Sequence, residues 1–158
     1  VEKVNSAISD FDGESTIFFV PPHEIEAHSL PWWIAGCNSI REPHPTVIQH
    51  LSGIGKEELI VERVIRVISP PSLIQQFRVS GLKLLKVDAE GHDWVILNAW
   101  LDAVEDLEVQ LPHRILFEDN ELTEKHHTTK LCLRLLRIGY ELGRSGANIS
   151  ARLCDGRE

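Results

Sequence analysis

Leu82-Lys83-Leu84-Leu85-Lys86-Val87-Asp88-Ala89-Glu90-Gly91-His92-Asp93 is the stretch on which the fold turns. Leu82, Leu84, Leu85 and Val87 make it a strand, and Asp88 stands at its carboxyl end. Gly91 supplies the turn. From His92 to Val104 the spacing predicts a helix, with Trp94, Leu97 and Leu101 on one stripe.

Downstream, Arg114-Ile115-Leu116-Phe117-Glu118 predicts a second strand ending in an acid, followed by Asp119-Asn120-Glu121. Residues 122–138 predict a long helix, with Leu131, Leu135 and Ile138 on one face. Tyr140-Glu141-Leu142 and Ile149–Leu153 flank Gly143-Arg144-Ser145-Gly146-Ala147-Asn148, which signals a hairpin.

Upstream, Ser69 is a candidate N-cap, Pro70 opens a helix to about Val79, and Ser80-Gly81 closes it. Leu59–Ile68 and Thr16–Val20 read as β-branched strands. A short strand in residues 1–9 leads to a turn at Asp10-Phe11-Asp12-Gly13. Residues 21–45 hold Pro21, Pro22, Pro31, Pro43 and Pro45 around Trp32-Trp33 and read as a long loop. That loop either plugs the core or faces a substrate. Strands alternating with helices imply an α/β layer with a partly parallel sheet and an antiparallel hairpin at its edge.

A chain of 158 residues suits one domain with a real core. A net charge of −8 argues against nucleic acid or an anionic membrane surface as partner. Cys37, Cys132 and Cys154 form no C-x-x-C pair, which points to a reducing, cytoplasmic compartment rather than a disulfide framework. The sequence has neither a signal-peptide pattern nor an apolar run of about 18 residues. It begins without Met and mid-pattern, as expected of a piece of something longer.

In open parallel sheets ligands sit beyond the carboxyl ends of the strands. If the two acid-ended strands are neighbours, their clusters meet at one edge, and a cation, a shifted pKa or a ligand must offset the repulsion. Asp88 is the leading functional candidate. Asp93 and Glu90 have a plainer explanation, since the helix dipole favours acids there, and His92 can serve as a simple helix-start hydrogen bonder. Asp88, Asp119 and Asn120 offer hard oxygen ligands for a divalent metal such as Mg²⁺. His126 and His127 are adjacent on a helix and are not read as a metal pair.

The segment from Leu84 to Asp93, followed by Ile96-Leu97, resembles the signature of FkbM-family methyltransferases: a hydrophobic strand, Lys-x-Asp-x-Glu-Gly, His, an acid and then an apolar Leu. Asn5–Asp10, Gly36-Cys37-Asn38-Ser39-Ile40, Ile115–Glu118 and Leu135-x-x-x-Gly139-Tyr140 resemble further stretches of that family in the same order. The resemblance implies an α/β, Rossmann-like methyltransferase sheet, mostly parallel with a C-terminal antiparallel hairpin and lacking the first two strands. Residues 1–158 would then form a single partial domain with an inserted Pro/Trp-rich loop at 21–45.

The activity implied is transfer of a methyl group from S-adenosylmethionine to a hydroxyl of a small molecule or sugar. Asp88 and His92 are the catalytic candidates, and Ala7, Ser9 and Asp88 would border the cofactor. Glu90, Glu118, Asn120 and Trp33 would contact the substrate. The glycine-rich cofactor turn of such enzymes has no counterpart here: Gly53-Ile54-Gly55 lacks a third glycine and a preceding strand. Cofactor binding by this chain is therefore expected to be incomplete, and absent strands would leave sheet edges open to self-association. The alternatives are a non-catalytic, degenerate methyltransferase-like module and a metal-dependent hydrolase using the same acids.

Overall fold

The computed structural model describes residues 2–40 and 42–154. The described residues divide into two compact units, one drawn from residues 2–7, 13–40 and 42–67 and one from residues 8–12 and 68–154. The fold is α/β with two four-stranded sheets.

The first sheet has the order β1-β4-β2-β3, from β1 (Ala7–Ile8), β2 (Gly13–Phe19), β3 (Ser39–Ile40) and β4 (Val61–Ile68). β2 pairs antiparallel with β4, from Gly13 opposite Val67 to Phe19 opposite Val61, and antiparallel with β3. Helices α1 (Pro22–Ala27) and α2 (Pro45–Gly53) and a 3₁₀ turn at Trp32–Gly36 complete the first unit. Its core is Val20, Ile25, Leu30, Ile34, Val47, Leu51 and Leu59.

The loop expected over residues 21–45 is thus mostly regular structure. Its prolines initiate elements instead of breaking them. Pro22 and Pro45 occupy the first turns of α1 and α2, and Pro31 precedes the 3₁₀ turn. A proline there forgoes an N–H that has no helical partner anyway, and its fixed φ suits the helix. His44 caps α2, its Nδ1 accepting the Thr46 N–H at 3.2 Å. Ile25, Leu30 and Ile34 then face inward as core. Gly53 ends α2, so Gly53-Ile54-Gly55 is a helix terminus.

The second sheet has the order β5-β6-β8-β7, from β5 (Leu85–Lys86), β6 (Arg114–Glu118), β7 (Tyr140–Ser145) and β8 (Asn148–Leu153). β5 and β6 are parallel, with Leu85 opposite Ile115 and Lys86 opposite Leu116. β6–β8 and β8–β7 are antiparallel. The hairpin turns on Gly146, whose φ of 61° suits glycine at the first central position of a two-residue turn.

This arrangement corrects the expected Rossmann-like sheet. Two small sheets of parallel and antiparallel strands replace one mostly parallel sheet. The reason lies in the connections. A parallel pair needs a crossover, and β5–β6 has one through α4 (Asp93–Asp106). The β-branched segments at 13–19 and 61–68 instead pair with each other antiparallel. The strand expected at 82–88 keeps two ladder residues, although Leu82, Lys83 and Val87 still exchange backbone bonds with His113, Arg114 and Leu116.

Helices α3 (Pro70–Phe77), α4 and α5 (Lys125–Arg137) pack within the second unit. Ile74 of α3 meets Trp100, Ala103 and Val104 of α4. Leu97, Leu101, Leu131 and Leu135 pack with Ile115 and Phe117 of β6. Ser69 caps α3, accepting the Ser72 N–H at 3.4 Å, and donates its own hydroxyl to Asp12 at 2.8 Å. α3 ends at Arg78 in a left-handed conformation, ahead of the expected Gly81. Arg134 links α5 to α4 through Asn98 and Asp102. Among the described residues no helix is long and apolar enough to cross a membrane.

Candidate functional site

Because β5 and β6 are parallel neighbours, their carboxyl ends share one edge, and the two acid clusters meet there. Asp88 lies two residues beyond β5, and Glu118 is the last residue of β6. Lys86 lies between them in charge: its Nζ donates to Asp88 Oδ2 at 2.8 Å. The hydrogen bond and charge of Asp88 hold the Lys86 ammonium above the usual lysine pKa. Desolvation opposes that rise, while Glu118 and Asp93 add to it. A cation from within the motif therefore offsets the repulsion. Both partners are about half exposed, so the pair orients Asp88 more than it stabilises the fold.

Asp93, 1% exposed, is the fastener of this edge. Its Oδ2 accepts the Ala89 N–H at 3.1 Å and its Oδ1 accepts the Glu118 N–H at 3.2 Å. One carboxylate thus ties the loop after β5 to the end of β6. The expectation for Asp93 was a plain role at the helix start; its bonds reach beyond the helix, to the loop after β5 and the end of β6.

Between them, Glu90 (φ 48°) and Gly91 (φ 89°) fold the loop back. A Cβ on Gly91 would lie 2.6 Å from Leu122 Cβ, so glycine is required by space as well as by φ. Thr123 Oγ1 donates to the Gly91 carbonyl at 3.4 Å. The loop after β6 therefore backs the loop after β5.

His92 Nε2 lies 2.9 Å from Ser9 Oγ. Ser9 is fully buried, and its hydroxyl donates to Asp10 Oδ1 at 3.0 Å. A hydroxyl has one proton, so with that proton on Asp10 the serine oxygen accepts from an Nε2–H of His92. Two residues singled out separately in the sequence are thus joined. Asp10, which orders them, was missed because nothing local in the sequence ties it to His92.

Of the other candidates, Asn120 folds onto its own loop, its Oδ1 accepting the Leu122 N–H at 3.1 Å and its Nδ2 reaching Glu118 Oε2 at 3.5 Å. Asp119 is paired on both oxygens, with Thr128 Oγ1 at 2.8 Å and Arg144 Nη2 at 2.6 Å. With Asp88 on Lys86, the three residues considered for Mg²⁺ are committed to protein donors. Ala7 and Trp33 belong to the first unit. Trp33 packs against that unit's core and meets His50 edge-on, while Trp32 is exposed.

The residues assigned to S-adenosylmethionine differ in exposure. Ser9 presents no surface and its hydroxyl is already shared, and Asp88 alone of that set in the second unit reaches solvent. An open cleft of about 580 Å³ borders the same edge, lined by Asp119, Asn120, Glu121, Thr123, Lys125 and Arg144 among others. Comparison of the chain with family models, curated proteins and solved structures returns no match.

Proposed function

We propose that the second unit is the acceptor-holding part of an S-adenosylmethionine-dependent O-methyltransferase, acting on a hydroxyl of a sugar or other polyol-like small molecule. The observation that carries this reading is the convergence of Asp88, Lys86 and Glu118 where β5 and β6 end together. Carboxylates accept hydrogen bonds from hydroxyls, and an ammonium donates to a hydroxyl oxygen. Such a set suits a polyhydroxylated ligand better than an apolar one. The resemblance of residues 84–93 to the FkbM signature supplies the reaction class. Asp88, held in orientation by Lys86, is the group placed to take up the hydroxyl proton. His92, fixed by Ser9, is the second. Three cysteines outside any disulfide favour a reducing, cytoplasmic compartment.

Because the glycine-rich cofactor turn has no counterpart in the sequence and Ser9 is buried, binding of S-adenosylmethionine by this chain is expected to be weak. The test is methyl transfer from millimolar labelled S-adenosylmethionine to a panel of sugars and polyols. Acceptor-dependent transfer that Asp88→Asn abolishes is the expected result. Transfer to none of the panel overturns the assignment.

The burial of Asp93 and Ser9 favours a second reading, a non-catalytic module in which the same motif only builds the edge. Under that reading the unit binds a polyol without methylating it. Asp88→Asn would then change binding and no turnover would be seen.

A further inference from the structure

We propose that Glu124, His126 and His127 form a binding site for a divalent ion of the Zn²⁺ class, separate from the edge at Asp88. Adjacent positions on a helix normally diverge by about 100°, as follows from 3.6 residues per turn. At the first turn of α5 that divergence is overcome. Helical Cα–Cβ bonds lean toward the N-terminus, so the side chains of His126 and His127 hang back over the cap residue, Glu124. The two rings stand 3.8 Å apart, tilted by 39°. His126 Nδ1 is 3.0 Å from Glu124 Oε2. One ligand atom from each of the three residues lies within 4.8 Å of the others. The two rings thus come together, although adjacent helix positions were not expected to share a face.

A second observation fixes part of the site. The His127 ring stacks on Trp94 at 3.7 Å with planes 10° apart. Trp94 belongs to α4, whose neighbours Ile96 and Leu97 are buried in the core. One imidazole is therefore held before any ion arrives, while His126 and Glu124 are more than half exposed and free to adjust.

Two imidazoles and one carboxylate are a borderline donor set. They suit Zn²⁺, with ligand bonds of about 2.0–2.2 Å and a fourth position for water or a small ligand. Hard ions such as Mg²⁺ prefer all-oxygen sets. The dipole of α5 opposes a cation at this end, and the Glu124 carboxylate offsets it.

The experiment is calorimetric titration of the full chain with Zn²⁺ alone. Expected is one equivalent bound with a dissociation constant of ~10 μM or tighter, on the strength of a partly pre-formed three-ligand site. His126→Ala and Glu124→Gln, both exposed positions, each weaken it at least tenfold, with the circular-dichroism spectrum unchanged. Binding weaker than that value overturns the proposal. So does binding that neither substitution weakens, which would place the ion elsewhere.

Discussion

His92 Nε2 lies 2.9 Å from the hydroxyl of Ser9, a residue 83 positions earlier in the chain and fully buried. The bond makes residues 8–12 part of the second unit's site region. With the Ser9 proton on Asp10, Nε2 of His92 is the donor in this contact. A double-mutant cycle of Ser9→Ala and His92→Phe should return a coupling of about 1 kcal/mol in chemical denaturation. Additive effects of the two substitutions would show that the bond contributes nothing.

Asp93→Ala should be among the more damaging substitutions in the second unit. It removes the acceptor of two backbone N–H groups and leaves a buried void. A loss of about 2–4 kcal/mol is expected in urea unfolding. A loss under 1 kcal/mol would mean that the loop after β5 finds other partners.

Gly91→Ala tests the turn itself. The added Cβ falls 2.6 Å from Leu122 Cβ at a φ of 89°. A destabilisation on the order of 2–3 kcal/mol is expected, combining backbone strain with steric displacement. An unchanged unfolding midpoint would contradict the close approach of the two loops.

Tyr140, 2% exposed, donates its hydroxyl to the Pro112 carbonyl, and burial pushes its pKa up to about 12. The unfolded-state value is about 10. Between the two the native state holds a proton that the unfolded state has lost. Stability is therefore fully present below pH ~10 and falls as pH rises toward ~12, by on the order of 1–3 kcal/mol. Unfolding free energy measured from pH 8 to 12 should show this slope. Tyr140→Phe should flatten it while costing about 1 kcal/mol at neutral pH.

The sequence disclosed elements whose period was clean. Arg114–Glu118, the helix beginning at residue 93 and the hairpin around Gly146 all follow from local patterning. Ser69-Pro70 announced α3 because cap chemistry is local. The prolines at 21, 22, 31 and 45 misled because the same residue ends one element and opens another, and only the packing of Ile25, Ile34 and Val47 decides between them. The sheets were misjudged for a different reason. Pairing partners such as Gly13 and Val67 are set by tertiary contacts, which no single stretch encodes.

For the candidate site, Asp88 and Glu118 were legible because each acid follows a clean apolar run, whereas the role of Lys86 as partner of Asp88 was not. Asp10, Thr123 and Leu122 were not, because each reaches the motif through a turn elsewhere in the chain. The stacking of Trp94 on His127 likewise joins two helices that the sequence presents only separately.

If a hydroxyl-bearing ligand sits where β5 and β6 end, as we propose, the backbone amides of that edge report it. Amide chemical-shift mapping of the isotope-labelled chain during titration with the acceptor polyols tests it most directly. Saturable shifts concentrated at residues 86–93 and 118–120, and lost in Asp88→Asn, are the predicted result. Saturable shifts confined to other residues, or none with any polyol, would contradict it.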